Sequence, residues 1–217
     1  MVAGRAKLIS GEDLSMEEIG ECSRIIAEQA ARMTNIIRQL LDFARRRPSR
    51  KSSCNLAELL RQVLNLLQPT AEKQGVTFDL VLPESDLAPI AVDEAQMQQV
   101  LINLIMNGMQ AMPDGGRLWT TIGLERIRPP HTAGGREKDC LVIDIADEGE
   151  GIRPENIPHL FEPFFTTRGM GQGTGLGLSI AYDIVQEHGG WLDVKSDPGS
   201  GTCFSMYLPL RPGEKQG

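Results

Sequence analysis

The run Gly171-Gln172-Gly173-Thr174-Gly175-Leu176-Gly177-Leu178 places four glycines at alternate positions just where an apolar helical pattern begins. Glycine permits close backbone approach and positive φ, and a helix start carries free amides, so this run can cradle phosphate. It lacks the Gly-Lys-Ser/Thr of a Walker loop. It is also a poor dinucleotide fingerprint, because no suitable strand precedes it and no acidic ribose partner follows at the right spacing. On its own it could equally be a flexible loop. Asp147-Glu148-Gly149-Glu150-Gly151 closes an apolar strand pattern. An Asp at a strand end, followed by glycines that admit a flat ring, can accept a hydrogen bond from an exocyclic amine; an ordinary turn is the alternative. Asn103 and Asn107 stand four residues apart, hence on one helix face, and interrupt the apolar run Val100 to Met106. Amides on such a helix are costly to bury unpaired, and their carbonyl oxygens are hard ligands suited to magnesium beside phosphate. A buried pair of mutually bonded amides is the other reading.

The elements that must hold these residues follow from periodicity and caps. Ser15 with Glu18 forms a capping box. Ile19, Ile26, Met33 and Leu40 then repeat every seven residues, with Cys22, Gln29, Ile36 and Phe43 interleaved. A helix from Ser15 to Arg46 would run roughly 45 Å at about 1.5 Å per residue, too long and one-sided to stand without partner helices. Val2 to Ser10 reads as the end of an earlier helix, turned by Gly11-Glu12-Asp13. The basic run Arg45 to Lys51, broken by Pro48, reads as a solvated helix end and a domain boundary. Beyond it Asn55 caps a helix with Leu56, Leu59, Leu60, Val63, Leu64, Leu66 and Leu67 on its apolar face. A strand is expected over Val76 to Leu82, and Asp93 caps a helix reaching about Met112. Strands follow over Arg117 to Ile127 and Cys140 to Ala146, with a Pro/Gly-rich connection between them. Gly149 to Gly173 has almost no periodicity. A helix is expected from about Thr174 to His188, then strands over Trp191 to Ser196 and Thr202 to Leu208. That order predicts an α+β fold: a two-layer α/β sandwich, a mixed sheet with helices on one face, preceded by the long helix.

The 217 residues suit one full domain and an appendage. The expected division is 1–51 for a partial helical hairpin, 52–212 for the main domain and 213–217 for a tail. With 22 Lys+Arg against 29 Asp+Glu the formal charge is -7, which argues against a nucleic-acid coat or a binder of anionic membranes. Cys22, Cys54, Cys140 and Cys203 lack the paired spacing of a zinc site or a secreted disulfide scaffold, so a reducing compartment is expected. No apolar run reaches the length of a membrane span, and the opening residues are unlike a signal peptide.

In order and spacing these pieces resemble the ATP-binding domain shared by sensor histidine kinases, gyrase-like chaperone ATPases and mismatch-repair ATPases. The resemblance covers roughly Asn55 to Leu210. Its asparagine box is Gln99 to Asn107, its first glycine box Asp147 to Gly151, its phenylalanine box Phe161-Glu162-Pro163-Phe164-Phe165 and its second glycine box Gly171 to Gly177; Gly199-Ser200-Gly201-Thr202 closes the pattern. The phenylalanine box and His188-Gly189-Gly190 are most similar to bacterial two-component sensor histidine kinases. Glu28 to Arg45 looks like the second helix of their dimerisation hairpin.

The resemblance implies ATP and Mg2+ as ligands. Asp147 would take the adenine amine, with Gly149, Gly151 and Ile152 along the ring. Asn107 would ligate magnesium, with Asn103 beside it. The amides of Gly173, Thr174, Gly175, Leu176, Gly177 and Leu178 would hold phosphate. Ala111, Phe161, Phe164, Gly171 and Thr202 complete the implied nucleotide site, and Phe161 to Gly173 would be its mobile lid. Hydrolytic relatives have Glu where Asn103 stands, and an amide cannot be a general base, which favours phosphoryl transfer over hydrolysis. Many relatives have Lys where Gln110 stands, leaving Arg168 as the lid cation for phosphate.

The acceptor motif of these kinases, similar to His-Glu-Leu-x-x-Pro-Leu, does not occur in the sequence. His131, His159 and His188 lie outside the bundle pattern, and Val2 to Ile9 looks like the sequence just after that motif. The expectation is a piece of a larger kinase that binds Mg-ATP without labelling itself. In that kinase γ-phosphoryl would go to a hairpin histidine and on to a response-regulator aspartate. The full protein would be a homodimer, in the cytoplasm or on the cytoplasmic side of a membrane reached through upstream segments. The alternatives are a clamp-type ATPase of the same superfamily, a degenerate nucleotide-binding docking module and, more distantly, a serine kinase acting on a sigma-factor regulator.

Overall fold

The computed structural model describes residues 16–17, 19–27, 30, 49–84, 87–129, 137–167 and 173–210. The chain divides into two compact units, Met1–Arg47 and Pro48–Gly217. In the first, the described residues are helical, with Ile19, Cys22, Ile25 and Ile26 half-buried and their neighbours exposed. That is the expected stripe over about two turns. Ser15, Glu18 and most of the helix to Arg46 lie outside the described residues, as do Val2 to Ser10, His131 and 213–217.

The second unit begins with β1 (Ser52–Cys54), followed by α1 (Leu56–Gln74), β2 (Val76–Val81), β3 (Ile90–Val92) and α2 (Glu94–Gln110). β4 (Gly116–Ile127), β5 (Lys138–Asp147), a 3-10 turn over Pro154–His159, α3 (Gly177–Glu187), β6 (Trp191–Ser196) and β7 (Thr202–Pro209) complete it. Asn55 starts α1 by accepting from the amides of Ala57 and Glu58, and Gly75 ends it in the left-handed conformation. Pro69 lies inside α1; the carbonyl it frees belongs to Asn65, and both residues are exposed, so water can satisfy the loss.

The main sheet has five strands in the order β2-β4-β5-β7-β6, with β2 parallel to β4 and the other pairs antiparallel. Strand alternation sends Leu118, Thr120 and Ile122 of β4, Leu141, Ile143 and Ile145 of β5, and Phe204, Met206 and Leu208 of β7 to the face covered by the helices. There they meet Leu60, Leu101, Leu104, Ile105, Ala181 and Val185 in one aliphatic core. On the opposite face Cys140, Val142, Trp191 and Tyr207 form a small second cluster, the two rings stacked 4.8 Å apart. The two-layer sandwich and mixed sheet expected from the sequence are the fold observed.

Three local features differ from the sequence expectation. β1 and β3 form a separate two-stranded antiparallel sheet, and at three residues each they are too short for periodicity to reveal. The stretch without periodicity contains the 3-10 turn. The last helix starts at Gly177 rather than Thr174, because Gly175 takes φ +67 and postpones the first helical turn. The four cysteines are free thiols. Burial pushes the Cys140 thiol up to about 11 and also raises Cys54 and Cys203, which favours the neutral thiol at all three; Cys54 and Cys140 pack in the core clusters.

The entry to the second unit is pinned to two helix ends. The amide of Arg50 donates to Asp93 Oδ2 at 2.8 Å, and Lys51 Nζ donates to the Glu187 carbonyl at 3.0 Å. Asp93, which caps α2, also donates its amide to His188 Nε2 at 3.0 Å, while His188 Nδ1 meets the Ile184 carbonyl at 2.8 Å. Accepting at Nε2 and donating at Nδ1 requires the neutral imidazole. Burial lowers the His188 pKa, helped by Lys51 and opposed by the Ile184 carbonyl, Glu187 and Asp93. The unfolded chain therefore takes up the proton more readily. The stability His188 contributes is complete above about pH 6.5 and is lost as pH falls through its depressed folded value. His188→Gln should cost about 1 kcal/mol at pH 7.5 and flatten the fall in stability between about pH 7 and 5. Denaturant melts across that range check it, and equal slopes for both proteins would refute the assignment.

Candidate nucleotide site

Asp147 ends β5 with only 6% of its surface exposed, opposite Leu118 on one side and Thr202 on the other. Its Oδ1 accepts from the Gly149 amide at 2.9 Å. The backbone closes tightly around this carboxylate. A Cβ on Gly108 of α2 would come within 2.9 Å of Leu118 Cδ1 and 3.3 Å of Asp147 Oδ2. One on Gly149 would lie 2.6 Å from Ala111 Cβ. The Ala111 carbonyl in turn accepts from the Glu150 amide, tying the C-terminal end of α2 to the first glycine run. Gly151 and Gly201, at φ +70 and +85, have no room for a side chain against Asp197 and Asp147 respectively. The result is a buried carboxylate at the sheet end, enclosed by glycine backbone packed too closely for any side chain.

Asn103 and Asn107 share one side of α2, and both are half-buried. They are not the buried mutual pair that the sequence left open. Asn103 Nδ2 donates to the Gly177 carbonyl at 3.0 Å and so ties α2 to the first residue of α3. α3 begins without any side-chain cap: Leu176 occupies the cap position and makes no such bond. The 11-residue helix therefore presents uncapped amides and the positive end of its dipole beside the Asn face, a setting that favours phosphate. The side-chain carbonyl of Asn107 suits a magnesium ion that takes most of its remaining ligands from phosphate and water. Among the described residues no group of three or more His, Cys, Asp or Glu could hold a metal by itself.

Before α3, Gly173, Thr174 and Gly175 are half-buried, and the Leu176 amide meets Thr174 Oγ1 at 3.4 Å. The Phe164 amide donates to the Gly175 carbonyl at 2.9 Å, which fastens the phenylalanine box to the second glycine box. Phe164 adopts φ +68 with its side chain largely exposed, a strained conformation for a non-glycine residue. Phe161 instead stacks on Tyr182 of α3, centroids 4.9 Å apart, and anchors its segment to the core. Arg168 and Gly171 lie outside the described residues. Leu178 lies in the first turn of α3, and Ile152 packs against the main core. Of the histidines, His159 is exposed beside Glu162 at 2.9 Å and His188 is the clasp described above.

Gly108 and Ser196 were not singled out in the sequence. Gly108 directly follows Asn107, and its lack of a side chain in an otherwise bulky helix was the available signal. Ser196, whose hydroxyl accepts from the Ile152 amide at 2.8 Å, is one polar residue at a strand end and gave no signal.

Residues 92–212 match the family described as histidine kinase-, DNA gyrase B-, and HSP90-like ATPase. The sensor kinase CckA of Brucella abortus (strain 2308) is 36% identical over 197 residues, covering 88% of this chain and 20% of that protein. The crystal structure of full-length ShkA in complex with AMPPNP superposes with TM-score 0.71 at 25% identity, covering 96% of this chain and 42% of that one. Histidine kinase ThkA, in complex with response regulator protein TrrA, shares the fold at TM-score 0.75 and 24% identity, covering 99% and 58%. The chain spans 20% to 43% of the length of the first curated relatives it matches. No helix among the described residues is long and apolar enough to cross a membrane.

Proposed function

Because the chain belongs to the histidine kinase-, DNA gyrase B- and HSP90-like ATPase family, with sensor kinases as its relatives, we propose that its second unit binds Mg-ATP and serves phosphoryl transfer to histidine. The single observation that carries this is the pairing of a buried Asp147 with an uncapped α3 tied to the asparagine face of α2. Asp147 accepts from the adenine amine while the bare backbone of Gly149 and Gly151 and the side of Ile152 line the ring. The amides from Gly173 to Leu178 bind phosphate oxygens, with Ala111 and Thr202 near the base and Arg168 and Gly171 on the lid. Asn107 would hold magnesium, which supplies charge neutralisation at the phosphates when bound. Phe161, stacked on Tyr182, and Phe164, whose amide donates to the Gly175 carbonyl, would border the nucleotide from the start of the lid.

Catalysis in this reading is positioning and electrostatic stabilisation of an in-line transfer. Asn103 spends one of its two N–H donors on the Gly177 carbonyl and has no basic group with which to activate water, so hydrolysis by a clamp-type ATPase is disfavoured. The acceptor is a histidine on a helical hairpin of the full-length homodimer, and a response-regulator aspartate receives the phosphoryl group next. Such a protein works in the cytoplasm or on the cytoplasmic side of a membrane. The proposed domains are 1–51, 52–212 and 213–217, although Pro48 to Lys51 group with the second unit. The 217-residue chain, incubated with magnesium and γ-labelled ATP, should bind nucleotide and carry no acid-labile phosphate on His131, His159 or His188. Label on any of them, or steady ATP turnover abolished by Asn103→Ala, would overturn the reading.

A further inference from the structure

Four strands of the main sheet end in one row on the helix-covered face. Leu118 of β4 pairs with Asp147 of β5, Asp147 with Thr202 of β7, and Thr202 with Ser196 of β6. Its polar members are Asp147, Thr202 and Ser196, and Thr202 is as buried as Asp147. Ser196 Oγ sits at the junction of three contacts. It accepts from the Ile152 amide at 2.8 Å, lies 2.9 Å from the Gly201 carbonyl, and lies 2.9 Å from Thr202 Oγ1. A serine hydroxyl has one proton and two acceptor lone pairs. All three contacts become hydrogen bonds only one way: Ser196 donates to Gly201 and accepts from both Ile152 and Thr202. That arrangement spends the Thr202 proton on Ser196, so Thr202 Oγ1 keeps only lone pairs beside the Asp147 carboxylate.

From this network we infer that Ser196 is a positioning and specificity-determining residue for the base. It fixes Ile152 as a wall of the ring site and holds Thr202 as an acceptor, so that with Asp147 the sheet end presents acceptors alone. Such an edge matches an exocyclic amine and repels the carbonyl oxygen that hypoxanthine or guanine carries in its place. The inference rests on the nucleotide reading above and adds to it how the base is selected. Ser196 acts through its neighbours and need not touch the nucleotide.

The test compares Ser196→Ala, Ser196→Thr and wild type for binding of Mg-ATP, Mg-ITP and magnesium tripolyphosphate by calorimetry. Without the serine, the Thr202 hydroxyl turns freely and can donate to a base carbonyl. Ser196→Ala should weaken ATP about tenfold, about the net worth of one hydrogen bond, and shrink the preference for ATP over ITP by a similar factor. Tripolyphosphate, which reads only the phosphate end, should bind as in wild type, and Ser196→Thr should restore both ATP affinity and the ATP preference. Unchanged ATP binding, or equal losses for ATP and tripolyphosphate, would refute the role. Should the Ala variant not fold, Ser196→Cys carries the same readout, its thiol being a weak donor and acceptor. Loss of folding in both would make Ser196 a structural residue and refute the inference. Wild-type protein that binds no ATP at all would remove the nucleotide reading itself, a result distinct from every variant outcome.

Discussion

Asp147→Asn should weaken ATP binding about a hundredfold while leaving the fold nearly as stable as before. The substitution preserves shape, and the Asn carbonyl can still accept from Gly149 as Asp147 Oδ1 does at 2.9 Å. What changes is the other side of the carboxylate. An adenine amine that met a charged acceptor would meet a neutral amide whose NH2 is also a donor. A charge-assisted bond is worth about 1.5–3 kcal/mol, and a factor of ten corresponds to about 1.4 kcal/mol, so a hundredfold loss lies within that range. Calorimetric titration with Mg-ATP measures the loss, and a thermal melt separates it from unfolding. Binding within a few-fold of wild type, with an unaltered melt, would show that Asp147 does not read the base. The effect should also depend on the ligand: tripolyphosphate binding at the α3 end should be nearly unaffected, because Asp147 belongs to the base end of the site.

That division between the two ends also explains what the sequence disclosed. The residues that cap or terminate an element were readable because their chemistry is local. Asn55 and Asp93 start α1 and α2 as their side-chain types require, and Gly75 ends α1 by taking a conformation that other residues avoid. The glycines at 149, 151 and 175 marked a backbone that something must approach. What could not be read was the register that joins distant strands. Ser196, Thr202 and Asp147 form one row only because β6, β7 and β5 align as they do, and no spacing along the chain announces that alignment. The same holds for β1 and β3, each three residues long and separated by α1 and β2. Phe161 shows the same limit. Its place in a recognisable box suggested the nucleotide, but nothing along the chain announced that its ring stacks on Tyr182 of α3. α3 starts one turn later than its residue types suggest, for a local reason. Thr174 is a good cap by type, but the positive φ of Gly175 moves the first helical turn past it and leaves Leu176, which has no capping group, at the helix entrance. An ordinary helix would be stabilised by a Ser or Asp there. Leaving those amides without a side-chain cap costs stability locally and, in the function proposed here, keeps them for phosphate.

The hairpin between β6 and β7 provides a controlled comparison of two glycines in the same conformation. Gly199 and Gly201 have φ +79 and +85, so alanine is strained at both by about 1 kcal/mol. They differ in surroundings. A Cβ on Gly199 meets nothing within 4 Å, whereas one on Gly201 overlaps the Asp147 carbonyl oxygen and crowds Glu148 Cα at 3.2 Å. Gly201→Ala therefore adds a steric clash with backbone, which no rotamer change can relieve. The start of β7 must move away from the end of β5, breaking the pairing of Thr202 with Asp147 and the bond from Ser196 to the Gly201 carbonyl. Gly199→Ala should cost about 1 kcal/mol and leave ATP affinity unchanged, while Gly201→Ala should cost about 3 kcal/mol or more and reduce ATP affinity at least tenfold in whatever fraction stays folded. Denaturant titration of both variants, with nucleotide binding measured below the unfolding transition, gives the two numbers. Equal melts for the pair would mean that backbone strain accounts for both glycines and that β7 need not press against Asp147. A large difference in both stability and affinity would show that the same close approach that closes the sheet end also holds the base-reading carboxylate in place.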